Sequence, residues 1–318
     1  MPCHDDIVRT LYRGSIDWPL VQFQAAALDT VSELISFDSS MWGLSCDPPD
    51  SIVDVYLDRQ PKQMIEDYLA NFQHEDFMAD DAYSQLGKTV NMVDLVSREA
   101  YEKTRFYRNF ASRWGMQQAL STCWIEPISG LIGFLSLWRK AARYPFSEGE
   151  RAEVECLVPH LAEAHRICRI ITLRQSDKAF RQAIAICNPH GALIEVEPGF
   201  FELLLTEWPA WRRNSILPKE LRPVLAKQQV YQGKAVTVDA RLLGNKVLVY
   251  IRPSNALDTL GKQQKIIALH YATGASYQDI AQALGLAEST VRNHVACIFK
   301  KCHVHNKIEL AALVRKYS

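Results

Sequence analysis

No apolar run in this 318-residue sequence approaches the ~20 residues that a membrane-crossing helix needs, so none is expected. A secretory leader is not expected either. The opening MPCHDDIVRTLYRG carries acids where a basic segment would stand, and no apolar stretch follows it. There is no internal repeat, no low-complexity tract and no net charge. The eight cysteines follow no repeating spacing, which argues against a disulfide framework and for packed free thiols in a cytoplasmic protein. What is present is ordinary for a globular chain: 48% hydrophobic and 23% charged residues, which argues against disorder. The length implies two or three domains. At this size about 75% of the unfolded surface can be buried without a disulfide or metal staple.

The charge is unevenly placed. Residues 255–318 hold eight Lys/Arg against four acids, a surplus of four that the rest of the chain balances. Four of the nine histidines lie there too. A compact basic module on an acidic body points to a polyanionic partner.

Pattern divides the remainder. In residues 1–146, Val21, Ala25, Leu28, Val31, Leu34 and Ile35 mark a helix, as do the stretches Lys62–Phe72 and Arg98–Trp114. SIVDVYL (51–57) alternates as a strand, and 119–139 reads as a hairpin about Pro127-Ile128-Ser129-Gly130. The expectation is an α+β sheet domain. In residues 147–175, Ser147 and Glu150 form a capping box that opens a long helix. Its apolar residues Val154, Leu157, Leu161, Ala164, Cys168 and Ile171 are spaced 3, 4, 3, 4 and 3. Two readings stay open: a seam between two chains, or a helix packed on its own domain. Pro159 should kink or restart it. Residues 176–254 form a smaller strand–turn–strand–helix unit closed by two strands, Lys234–Val238 and Lys246–Arg252, with a loose likeness to a PAS module.

Residues 255–318 read as four helices. Leu260–Ala272 ends at Gly274, Ser276 caps SYQDIAQAL, Gly285 supplies a tight turn, and STVRNHVACIFKK and KIELAALVRKY follow. Two helices joined by a glycine-containing turn make a helix-turn-helix. The segment SYQDIAQALGLAESTVRNHVACIFKKCHVHNKIELAAL resembles the LuxR-type helix-turn-helix of bacterial transcription regulators. Upstream, FLSLWR, PFSEGERAEVECLVPHLAEA and Glu207–Trp211 resemble a LuxR-type subgroup with a GAF-like sensor domain. The sequence departs from the family pattern at Ala287, where a capping Ser is usual, at His303, where Gly is common, and at the LGKQQ opening.

The resemblance implies a cytoplasmic, non-enzymatic, dimeric regulator of double-stranded DNA, with its third C-terminal helix in the major groove. Arg292, Asn293 and Ala296 would then face bases, since Arg can bridge guanine O6 and N7 and Asn adenine N6 and N7. Ser276, Ser289, Thr290, Lys300 and Lys301 would meet phosphates. The competing class is a metabolite-binding protein or enzyme that uses the tail for protein contact.

Other signals are weak. Gly87-Lys88-Thr89 resembles the end of a phosphate-binding loop, but Ala82 stands where its first Gly belongs. Asp5 and Asp6 follow no apolar strand, so a phosphoreceiver is not expected. Quorum-sensing members of the family that it resembles hold an acyl-homoserine lactone with a Trp and a Tyr four residues apart; none of the seven Trp here has a Tyr at that spacing, so the resemblance disfavours that ligand. Cys297, Cys302, His303 and His305 match no common zinc spacing, so no metal or cofactor is expected. Aromatics are dense from Trp42 to Trp138; they would suit an apolar pocket, with Trp124 and Trp138 as lining candidates, and equally the core of any sheet domain.

Overall fold

A computed structural model describes residues 3–46, 52–127, 129–175, 183–212, 216–227 and 229–317. Ser51, Ile128 and residue 176, where the third expected segment begins, lie outside the described residues. The chain is mixed α and β, with two five-stranded antiparallel sheets followed by four helices.

Two helices come first, α1 (His4–Asp17) and α2 (Leu20–Ser32). The first sheet has the order β2-β1-β5-β4-β3. Its strands are β1 (Ser39–Ser45), β2 (Ile52–Asp58), β3 (Thr89–Asn91), β4 (Gln118–Ile125) and β5 (Ile132–Arg139). Between β2 and β4 run α3 (Lys62–Asn71), α4 (Phe77–Ser84), α5 (Met92–Leu95) and α6 (Arg98–Lys103). The long helix α7 (Glu148–Gln175) leads to the second sheet, of order β7-β6-β10-β9-β8. Its strands are β6 (Ala183–Cys187), β7 (Leu193–Val196), β8 (Tyr231–Gln232), β9 (Val236–Leu243) and β10 (Lys246–Pro253). The helices α8 (Phe200–Glu207) and α9 (Arg222–Lys227) lie between β7 and β8. The chain ends in α10 (Lys262–Ala272), α11 (Tyr277–Leu284), α12 (Glu288–Cys302) and α13 (Lys307–Tyr317). No helix among the described residues is long and apolar enough to cross a membrane.

Side-chain alternation in the strands sets the layers. On the first sheet, Trp42, Leu44, Leu120, Leu135 and Leu137 face α1, α2 and α7, while Met41, Ala119, Cys123, Phe134 and Trp138 face α3–α6. On the second sheet, Ile184, Ile186, Ile194, Leu248 and Tyr250 join the same core as α7, and Ala185, Leu193, Val238, Val247 and Val249 pack with α8 and α9. The helices α1, α2 and α7 are thus one layer shared by both sheets.

This corrects the seam. Val154, Leu157, Leu161, Ala164 and Cys168 are all buried within the chain, Leu161 at 1% exposure, so this stripe is not available to a second chain. Spacing of 3 and 4 marks any helix buried along one stripe, and here the partners are α1 and α2. Pro159 sits in α7 on an exposed position without ending it. The expected helix 98–114 is also broken. Thr104 is extended (φ −68°, ψ 151°), and its hydroxyl accepts from the Tyr107 amide and donates to the Tyr101 carbonyl. That side chain competes with the helix for backbone groups, and a π-helical turn, Tyr107–Ala111, follows.

Buried charges tie the sheets together. Arg169 of α7, at 1% side-chain exposure, donates through Nη2 to Glu126 Oε2 (2.5 Å) after β4 and through Nε to Glu195 Oε2 (3.3 Å) on β7. Lys246 Nζ meets Asp54 Oδ2 (2.5 Å), Asn245 Nδ2 donates to Asp54 Oδ1 (3.0 Å), and Asn188 Nδ2 donates to the Val53 carbonyl (2.6 Å). Two hairpin turns of the second sheet therefore cover β2, the edge strand of the first.

The C-terminal bundle closes on Ile267, Ile280, Val291, Val295, Ile298 and Leu310. Both ends of α12 are suboptimal. Ala287 occupies the N-cap in extended geometry (φ −75°, ψ 144°) with no side-chain bond, and His303 takes a left-handed conformation (φ 54°) at the C-terminus.

Three outcomes are expected. Arg169→Met leaves Glu126 and Glu195 buried and unpaired and lowers the unfolding free energy by about 3–5 kcal/mol, whereas replacing all three charges with apolar residues recovers most of the loss. Denaturant titration of both variants measures this. Leu161→Glu, by burying an unpaired charge, abolishes the cooperative melt rather than splitting a dimer, which circular dichroism and sedimentation distinguish. Ala287→Ser and His303→Gly each raise the denaturant midpoint, by about 1 kcal/mol apiece, through a new cap bond and a relieved left-handed residue respectively.

Candidate functional site

The first site is the exposed side of α12. The turn before it is tightly specified. Ser276 Oγ accepts from the Asp279 amide (3.1 Å), while Asp279 Oδ2 accepts from the Ser276 amide (2.9 Å) and hydroxyl (2.7 Å), a reciprocal cap at the start of α11. These bonds from Ser276 hold the Asp279 carboxyl below its usual range. Gly285 closes α11 in a left-handed conformation (φ 64°), where its missing Cβ avoids a steric cost, and α12 begins after only Leu286 and Ala287.

On α12, Val291, Val295, Ile298 and Cys302 are buried, which fixes the helix's rotation. Ser289, Arg292, Asn293, Ala296 and Lys300 are then exposed along one stripe, and Thr290 is half-buried beside it. Lys301 is exposed but turned back: its Nζ donates to Gln264 Oε1 (2.9 Å) and toward the Thr259 carbonyl (3.4 Å). Ser276 lies apart on α11's N-terminus with its hydroxyl engaged in the cap. Two residues that the sequence analysis passes over stand at Arg292. Glu288 Oε1 accepts from both Nε (3.2 Å) and Nη2 (2.6 Å), and the guanidinium lies 4.8 Å from the Tyr277 ring centre. The i,i+4 spacing of Glu288 and Arg292 signals the first contact; nothing local signals the second, which crosses between helices.

Among the described residues no three His, Cys, Asp or Glu side chains converge as a metal site. Cys297 Sγ accepts from Gln264 Nε2 (3.3 Å), and Cys302 is buried. Lys88 is paired with Glu155 (3.1 Å).

The second site is a cavity of about 230 Å³ between the first sheet and α3–α6. Its walls include Met41, Met64, Phe106, Phe110, Met116, Phe134 and Trp138, with Tyr68, Asp76, Tyr83, Ser121 and Ser136 as polar points. Trp138 lines it; Trp124 does not. In register, Ala119 pairs with Trp138 and Cys123 with Phe134, so the odd positions of β4 face the cavity and Trp124 faces the other way. There its Nε1 donates to Glu126 Oε1 (3.0 Å), over Gly133, which leaves room for the indole.

Asp76 anchors the cavity wall. Its Oδ1 accepts the Met78 and Ala79 amides (3.1 Å each), capping α4, and Oδ2 accepts the Tyr68 hydroxyl (3.0 Å). Burial pushes its carboxyl up, against these bonds. Burial also pushes Tyr83 and Cys123 each up to about 12. These directions mark a low-dielectric interior that disfavours charge.

Among the described residues, the Asp258 carboxylate ties the start of the C-terminal bundle to the second sheet. Asp258 accepts from Arg252 Nη1 (2.8 Å) and Nη2 (2.6 Å), from Thr237 Oγ1 (3.1 Å) and from the Asn255 amide (2.8 Å).

Comparison with known proteins agrees with the geometry of the bundle. Residues 258–314 match the family described as bacterial regulatory proteins, luxR family. A nitrate/nitrite response regulator protein homologue of Haemophilus influenzae is 28% identical over 86 residues, which span 27% of this chain and 40% of that protein. Among solved structures, Escherichia coli SdiA is 14% identical over 98% of this chain and 96% of its own, with a TM-score of 0.40. The VqsR LBD domain of Pseudomonas aeruginosa is 17% identical over 52% and 94%, with a TM-score of 0.39. The capped α11, the left-handed turn at Gly285, the buried face of α12 and the family match over the same residues make α10–α13 a helix-turn-helix domain of the luxR family.

Proposed function

We propose that the chain is a DNA-binding transcription regulator that acts as a pair of chains on paired half-sites, with α12 in the major groove and a small neutral molecule in the cavity as its signal. The observation that carries this is the stripe Ser289, Arg292, Asn293, Ala296 and Lys300, exposed on a helix whose opposite side is fully buried. Arg292 and Asn293 are the side chains that read guanine and adenine by paired hydrogen bonds, and the small Ala296 lets the helix approach the base edges. Ser289, Thr290 and Lys300 flank them at positions suited to phosphate, as does the Ser276 end of α11. Lys301 reaches a phosphate only by leaving Gln264.

The ligand part rests on the cavity. Its volume is far above the ~10–15 Å³ that holds one water. Its walls are more apolar than polar, and burial raises the Asp76 carboxyl. An uncharged, largely apolar metabolite with one or two polar groups fits that environment. A change in the sheet's cavity face reaches the shared helical layer on its other face, then the second sheet, and leaves through Arg252 and Asp258 to the bundle. Pairing of two chains then sets the spacing of the half-sites.

Selection of bound DNA from a random pool by the full chain, with and without cell extract, tests the reading. The expected product is a site of two related halves, and recovery of random sequence alone overturns it. For the cavity, a ligand found in the extract raises the melting temperature progressively, with the logarithm of its concentration once the site is saturated. Ser121→Phe, which fills the cavity, removes that rise while the protein still melts cooperatively; an unchanged rise would place the ligand elsewhere.

A further inference from the structure

The base-reading residue proposed above is held in place by two others, and the hold has a direction. A guanidinium offers two paired edges, a side edge made by Nε and Nη2 and an end edge made by Nη1 and Nη2. Glu288 occupies the side edge of Arg292, accepting from Nε and Nη2 on one oxygen. Tyr277 covers one face at 4.8 Å. Among the described residues none accepts from the end edge, and two parallel donors on it match guanine O6 and N7.

The platform under Arg292 is itself fixed. The Tyr277 ring stacks on Tyr271 at 5.2 Å and 17°, and the two hydroxyls are 3.0 Å apart. Lys307 Nζ lies 4.5 Å from the Tyr271 ring centre and donates to the Gly274 and Ala275 carbonyls (2.9 Å each). The result is a chain of four contacting side chains, Lys307–Tyr271–Tyr277–Arg292, that spans α13, α10, α11 and α12. Arg292 is 61% exposed and Glu288 46%, so the ion pair alone adds little to stability. Its consequence is orientational: a long side chain that would sample many rotamers in solvent is restricted before DNA arrives, which lowers the entropy lost on contact.

The geometry points to Tyr277 and Glu288 as positioning residues for sequence recognition, which orient Arg292 so that its end edge reads one guanine in each half-site. This rests on the reading of α12 as the groove helix. Neither residue needs to touch a base. Loss of either frees the guanidinium to swing to a neighbouring phosphate, which converts a base contact into a sequence-independent one.

The test uses the full chain and the DNA that it selects from the random pool. Binding is titrated against that site and its single-base variants, at several salt concentrations, for Arg292→Ala, Glu288→Ala, Tyr277→Leu and Tyr277→Phe. Glu288→Ala and Tyr277→Leu are expected to reduce the preference for guanine at one pair by roughly five- to tenfold. Glu288→Ala should also steepen the salt dependence by about one phosphate. Tyr277→Phe keeps the ring and so keeps the preference. Arg292→Ala should abolish preference at that same pair. If Arg292→Ala abolishes it but Glu288→Ala and Tyr277→Leu leave it intact, the positioning role is overturned and the groove placement stands. If Arg292→Ala leaves every preference intact, the groove placement fails and the positioning role with it. Glu288 is exposed, so its variant reports on recognition without depending on whether Tyr277→Leu folds.

Discussion

A single buried guanidinium constrains the first 250 residues. Arg169 cannot lie in an apolar layer unpaired, and the two carboxylates that satisfy it come from different sheets, Glu126 after β4 and Glu195 on β7. Burial raises the Glu195 carboxyl, and one of its oxygens has no partner among the described residues. His165, one turn before, is kept neutral by burial, with Nδ1 3.3 Å from Arg169 Nη1 and its ring stacked on Phe23 at 5.2 Å. Each member is tolerated only because the others are in register. A shift of either sheet relative to α7 would strand a charge, so the relative placement of the sheets is specified by polar pairing, while the surrounding Leu, Ile and Val supply the burial.

The C-terminal domain is attached in a different way. Its core is separate, and its link to the second sheet runs through Asp258, which gathers Arg252, Thr237 and the Asn255 amide on one carboxylate. Desolvation of Asp258 works against its charge, but the Arg252 guanidinium and the Asn255 amide hold its carboxyl below the usual range. The sheets are thus bound to each other across a continuous core, and the helix-turn-helix, with a core of its own, is tied to the second sheet through Asp258. A body that is rigid on one side of such a joint and compact on the other can transmit a small displacement as a rotation.

What was legible in the sequence follows from range. The four C-terminal helices were legible because their signals are local: Ser276 with Asp279, Gly285, and a 3-4 apolar stripe in α12. The strand β2 showed its alternation, but β1 did not, since all seven of its residues are buried. A strand covered on both faces loses the period that identifies it. The helix α7 was legible as a helix, but its stripe carries no record of whether its partner is another chain or α1 and α2. Trp124 and Trp138 looked equivalent until the β4–β5 register put them on opposite faces. The cavity, the Arg169 cluster and the stack of Tyr277 on Arg292 depend on residues far apart in sequence, and no spacing rule reports them.

The two modes of attachment bear on how such a chain can be reassembled by recombination. Exchange of the segment after Pro253 leaves the described pairs between the sheets intact and has to preserve Asp258, which meets Arg252 and Thr237, and Ser254, which donates to the Gly233 and Ala235 carbonyls. A crossover placed anywhere between β2 and β10 would instead separate Asp54 from Lys246, and over part of that range Arg169 from Glu126 or Glu195 as well, and would need simultaneous replacement on both sides of the junction. The ancestry of the C-terminal bundle can therefore differ from that of the body that carries it, whereas the two sheets, though joined by little more than a helix in the sequence, are inherited as one block.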